Sequence, residues 1–193
     1  MLKSSKMFSA LKVLFSRSLK KHPVLTNTSV YATFYLAAEL SQQTFNRIYS
    51  REKPDYNFRA AARIAAVGSG IYAPILYYWY RYLDKKFSGT AVKTVMTKVA
   101  CDQLIMTPLL LACFFTAMAV MERKDDLFEE LRHKYIKTFL ANQSFWIPGQ
   151  MINFFFVPPH LRVVYVATAS FLWINVLCYI KRQKLRPIEL KEI

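Results

Sequence analysis

Four stretches of this chain run for about the width of a membrane with almost no charge, and no other feature restricts the fold so strongly. Between His22 and Arg47 the only charged side chain is Glu39. From Ile64 to Tyr80 and from Val163 to Ile180 there is no formal charge, and Asp102 stands alone between Lys98 and Glu122. Crossing ~30 Å of hydrocarbon takes about 20 mostly apolar residues in a helix. A soluble helix of that length would carry a polar stripe every turn or two. The 193 residues are therefore read as a single polytopic, all-α membrane domain rather than a soluble bundle.

The expected fold has four transmembrane helices, an N-terminal amphipathic helix and a surface or re-entrant helix before the last span. The spans fall at about 24–45, 60–83, 92–120 and 161–180. Pro23 suits a first helical turn. Gly68, Gly70 and Ala73 would let helices approach closely, Pro74 would kink the second span, and the tyrosines of 77–82 resemble an interfacial belt. The charged segment 121–137, with Leu127, Phe128, Leu131 and Tyr135 at helical spacing, reads as a surface helix. The stretch 138–159 has no formal charge but is rich in amides and broken by Pro148, Pro158 and Pro159. It reads as re-entrant or interfacial; if it crosses, there are five spans.

The net charge of +15 flanks the apolar runs rather than gathering on one recognition helix, which points to membrane anchoring and not to nucleic acid. The basic arm 1–21 has six bases and no acid, as in a mitochondrial targeting segment or a helix lying on anionic headgroups. With four spans, the arm, the Arg81–Lys98 loop and the basic tail 181–193 put +13 on one side, against +3 from the first linker and 121–137. Both termini would then face the matrix of a mitochondrion or the cytosol beside a peroxisome.

Polar groups inside the spans are functional candidates because burying them in lipid is costly. They are Glu39, Gln43, Arg63, Lys98, Asp102, Gln103, Trp146, Gln150, Asn153 and Arg162. Trp146, Gln150 and Asn153 share a stripe, and Lys98 lies one turn before Asp102. Such groups either lock helices together or line a hydrated path. No Gly-rich phosphate loop, HExxH or GxSxG is present, so no enzyme and no cofactor is expected. Cys101, Cys113 and Cys178 lie in apolar segments, and His22, His133 and His160 lack metal-ligand spacing, so neither a disulfide framework nor a metal site is expected.

The run WIPGQMINFFFVPPHLRVVY, from Trp146 to Tyr165, resembles the C-terminal signature of the Mpv-seventeen, or peroxisomal membrane protein two/four, family. The matching positions are Trp146, Gln150, Asn153, Phe154, Val157, Pro158 and Arg162, with Trp173 later. His22-Pro23, Arg59, Arg63, Gly68, Pro74, Trp79, Tyr80, Asp102-Gln103 and Pro108 extend the likeness over nearly the whole chain. HPVLTN, CDQ, RKDDLF and FLW look closest to the Mpv-seventeen-like branch. Two departures stand out: Ala38-Glu39 replaces the usual Gly-Asp, and Tyr77 stands where a His is common.

The resemblance implies a four-span protein of the mitochondrial inner membrane or the peroxisomal membrane. It also implies channel or small-solute passage that influences membrane potential and reactive oxygen species. The competing reading is a non-conducting scaffold that binds a protein partner through 121–137, or a peroxisomal protein acting on reactive oxygen species through partners. The lipid bilayer is the expected partner, homo-oligomerisation is left open, and direct nucleic-acid binding is not expected.

Overall fold

The computed structural model describes residues 13–49 and 54–182. Residues 1–12 of the basic arm and 183–193 of the tail lie outside the described residues. Helix α1 covers 13–21, and α2 follows a bend at His22 as Pro23–Tyr49. Next come α3 (Phe58–Lys86), α4 (Val92–Met121), α5 (Glu129–Phe156), a short 3-10 turn at Pro159–Leu161, and α6 (Arg162–Arg182). Among the described residues there is no strand.

Among the described residues, three helices are long and apolar enough to cross a membrane: Phe58–Lys86, Val92–Met121 and Pro159–Leu177. They coincide with the last three expected spans. The expected first span, α2, has 27 residues, ample for crossing, but is not among the three. Thr26, Asn27, Glu39, Gln42 and Gln43 lie buried along it and dilute its apolar character.

Two prolines leave the same mark. Pro74 and Pro108 cannot donate a backbone hydrogen bond, and each ring would clash with the carbonyl four residues earlier. Just before each, the helix widens into one π turn, at Gly68–Tyr72 and Asp102–Met106. Ala73 N–H bonds to the Gly68 carbonyl and Thr107 N–H to the Asp102 carbonyl, five residues back. The helices therefore continue past their prolines, as α5 does past Pro148.

The segment expected as one surface helix over 121–137 is divided instead. Arg123 takes a left-handed conformation (φ 55°), and Lys124 N–H bonds back to the Ala119 carbonyl, which ends α4. A turn over 122–128 follows, where the Phe128 N–H and then the Arg132 guanidinium hold the Asp126 carboxyl below its ordinary range. Helix α5 then runs unbroken from Glu129 through the amide-rich stretch, ~42 Å at 1.5 Å per residue. It stops at Val157, which is extended as a residue before proline should be.

Short turns make successive helices run in opposite directions. Asp84 near the end of α3 meets Lys98 of α4 and Arg162 of α6, which marks one end of the bundle. Arg63 near the start of α3 meets Glu122 just past α4, which marks the other. Gln43 of α2 clamps the Asn57 backbone twice, at 2.7 and 3.0 Å, while Asn57 caps α3 through Ala60 N–H. So α2 ends beside the start of α3. Phe145 stacks near Trp173, and Tyr165 donates to the Gly149 carbonyl, so α6 is antiparallel to α5 and parallel to α2.

Helix α2 approaches α3 closely at one glycine. A Cβ on Gly68 would overlap the Tyr35 ring. Gly70, expected to serve the same purpose, faces open space.

Candidate functional site

Helix α5 is amphipathic inside out. Its buried residues are Glu130, Lys134, Thr138, Asn142, Trp146, Gln150 and Asn153, polar but for Trp146, together with Phe154. Its exposed large residues are Ile136, Leu140, Ile147, Ile152 and Phe156. In water this arrangement would be unfavourable. Against lipid it is the expected one, because the apolar face needs no partner and the polar face finds partners only inside.

Halfway along this stripe the helices surround a cavity. Asp102, Gln103, Asn142, Gln150 and Ser170 give it polar walls, and Tyr35, Tyr72, Tyr80, Trp146 and Trp173 give it aromatic ones. The centre of a water molecule has about 40 Å³ to move in there, room for a few waters or one small ion.

Asp102 lies in the first position of the second π turn and is buried. Its donors are neutral: Trp79 Nε1 at 2.9 Å and Gln103 Nε2 at 3.0 Å. From the other wall, Asn153 donates to Gln150 at 2.8 Å, and Gln150 donates to the Tyr80 hydroxyl at 2.7 Å. The carbonyl oxygens of the Asn142 and Asn153 side chains and the Thr138 hydroxyl are buried without a protein partner.

An ionic cluster lies toward each end of the bundle. At one, Asp84 binds Lys98 at 2.8 Å and also pairs with Arg162, whose guanidinium donates to the Val157 carbonyl and lies over the Phe154 ring. At the other, Glu130 pairs with Lys124 at 2.7 Å and with Lys134 at 3.4 Å, while Glu122 pairs with Arg63 and Lys124. The centre of the bundle thus holds a carboxyl group with neutral donors, and at both ends these ion pairs join more cations than anions.

Of the residues singled out from sequence, Asp102, Gln103, Trp146 and Gln150 line the cavity. Asn153 reaches it only through Gln150. Lys98, one turn before Asp102, turns to Asp84 instead, and Arg162 joins it there. Arg63 belongs to the opposite cluster. Gln43 accepts and donates at the α2–α3 junction and is held there by a bond to the Glu39 carboxyl on its own helix, away from the cavity. Sequence reasoning passed over Asp84, Asn142, Glu130 and Lys134. The last three were legible, because they fall at spacings of four with Trp146 and Gln150 on one helix. Asp84 was not, since its partners are distant in sequence.

The family profile described as Mpv17 / PMP22 family matches residues 119–178, which span the last turn of α4, the whole of α5 and most of α6. The Mpv17-like protein of Xenopus laevis is 32% identical over 169 residues, covering 88% of this chain and 82% of that protein. The chain belongs to the Mpv17 / PMP22 family. The Mpv17-like protein of Bos taurus is 28% identical, with 87% of this chain and 83% of that protein covered. Protein sym1 of Aspergillus oryzae is 33% identical, with 82% and 91% covered. No solved structure matches. Within the stretch matched by the Mpv17 / PMP22 profile lie Glu130, Lys134, Asn142, Trp146, Gln150 and Arg162, so it takes in both the polar stripe and part of each ionic cluster.

Proposed function

We propose that this protein is a multi-pass membrane protein that passes small hydrophilic solutes or ions. Its address in this reading is the mitochondrial inner membrane, with the peroxisomal membrane as the alternative. Passage there would influence membrane potential and, through it, reactive oxygen species. The observation that carries the proposal is the inward polar face of α5, which runs from one ionic cluster past the Asp102 cavity to the other. Buried polar groups are costly inside a membrane, and a hydrated path would supply the partners that the Thr138 hydroxyl and the Asn142 and Asn153 side-chain oxygens lack within the protein.

In this reading α2 and α5 cross the membrane as well, giving five crossings instead of four. Both are long enough, and both keep polar residues inside and large apolar ones outside. Asp102 lies on the path, the cavity is its narrow middle, and the ionic clusters close it at either end.

Single-channel recording of the purified chain in planar bilayers, wild type beside Asp102→Asn, tests the proposal. Discrete currents whose size or ion selectivity changes with the substitution are expected. Silence from folded wild-type protein would sink it and turn the search to a scaffold's partners.

A further inference from the structure

The walls of the Asp102 cavity accept hydrogen bonds more readily than they give them. Several of their donors are already engaged. The Gln103 amide donates to Asp102 at 3.0 Å, the Gln150 amide to the Tyr80 hydroxyl at 2.7 Å, and the Tyr72 hydroxyl to the Leu110 carbonyl at 2.8 Å. Acceptors are in surplus. The two Asp102 oxygens receive one neutral donor each, and each can accept more. Asn142, 5% exposed, lines the cavity, and its side-chain oxygen is buried without a protein partner.

Charge is unbalanced in the same direction. Among the described residues no cation pairs with Asp102, because Lys98, one turn earlier, and Arg162 are both drawn to Asp84. A carboxylate taken out of water is costly unless a cation joins it. Much of the remaining wall is aromatic, from Tyr35, Tyr80, Trp146 and Trp173. The face of such a ring attracts a desolvated cation and repels an anion. Size is limited too. With about 40 Å³ open to the centre of a water molecule, the cavity admits an ion of a few heavy atoms and no more.

We infer that the Asp102 cavity binds a small primary ammonium ion, of which methylammonium is the simplest organic example. Its charge meets the Asp102 carboxylate, and its N–H groups supply the donors that Asp102 and Asn142 lack. An alkali cation would balance the charge but bring no donor. A tetraalkylammonium would bring no donor and would not fit. That such ions also pass rests on the channel reading above; that they bind does not.

The chain carries its own reporter. All three of its tryptophans belong to this site: Trp79 donates to Asp102 at 2.9 Å, and Trp146 and Trp173 line the cavity. The full chain in detergent is titrated with methylammonium chloride, exchanged for sodium chloride at constant ionic strength. The buffer is at about pH 8, where an ordinary carboxyl is ionised and a primary amine protonated. A saturable change in tryptophan emission is expected. Asp102→Asn keeps the shape but turns charge-assisted hydrogen bonds into neutral ones, and should weaken binding at least about tenfold. Asn142→Leu keeps the carboxyl and fills the space, and should weaken binding similarly, with helicity checked by circular dichroism. Asp126→Asn, at an exposed carboxyl in the turn after α4, should bind as the wild type does. No saturable response from folded wild-type protein would overturn the inference. Equal affinity for potassium or tetramethylammonium would overturn it too, since charge alone would then suffice. Unchanged affinity in either cavity variant would do the same by placing the amine elsewhere. Saturable binding beside silent planar bilayers would keep the site and remove the path, and currents without binding would do the reverse.

Discussion

Gly68 illustrates how one missing side chain sets the distance between two helices. The Tyr35 ring occupies the place a Cβ would take, and Tyr35 in turn contacts Tyr31 and Tyr72 by ring edges and faces. Gly68→Ala should therefore cost ~1–3 kcal/mol, the range for overpacking a tight core. A lowered thermal midpoint in detergent would show it, whereas Gly70→Ala should leave the midpoint unchanged or raise it. At this scale sequence reasoning went only part of the way. It named both glycines as contact residues, because nothing in either letter says which faces a neighbour. It found Asp102 and Gln150 from the cost of burying them, yet placed Glu39 and Gln43 in the same class. Polarity inside a span reveals burial but does not separate a wall of a cavity from a clasp between helices.

Among the elements, the ionic clusters matter most to how helices hold together. Asp84 on α3 is the single acid between Lys98 on α4 and Arg162 on α6. Removing it would leave two buried cations facing each other. Asp84→Asn is expected to destabilise the bundle by roughly 3–5 kcal/mol, read by thermal unfolding in detergent. Replacing Lys98 by Met as well should restore part of that loss, because one of the stranded charges goes with it. A double variant no better than the single would show that the cluster is not a coupled unit. Helix α5 was the element least legible in advance. Its alternation of charges, amides and prolines looked like two segments, 121–137 and 138–159, and only the packing shows that one helix carries most of both, with exposed apolar residues interleaved among buried polar ones. The spans at α3, α4 and α6 were legible because an uncharged run long enough to cross leaves few alternatives.

For the whole molecule, the direction of α6 decides the topology. It begins at the Asp84 end and runs parallel to α2. With α2 and α5 crossing, the N-terminal arm and the tail lie on opposite sides. The charge difference then narrows from +13 against +3 to +11 against +6, so the arm keeps the more basic side. Single cysteines at Lys20 and at Lys191, in a chain whose Cys101, Cys113 and Cys178 are replaced, should react with an impermeant maleimide from different sides of sealed organelles. Labelling of both from the same side would restore the even count.

The spacing of α5's buried residues has one more implication. Glu130, Lys134, Thr138, Asn142, Trp146, Gln150 and Phe154 follow one another at intervals of four. A regular helix turns about 400° in four residues, so each is displaced roughly 40° around the axis from the last. Over six intervals the stripe winds through more than half a circle. It is a spiral ramp rather than a straight wall, and no single neighbour can cover all of it. The turn after α4 meets its beginning through Lys124, α4 the flank of its middle through the Gln103 carbonyl, which accepts from Gln143, and α3 its later part through Tyr80. Withdrawing any one of these would bare only its own portion of the ramp, so the two ends of α5 can be uncovered separately.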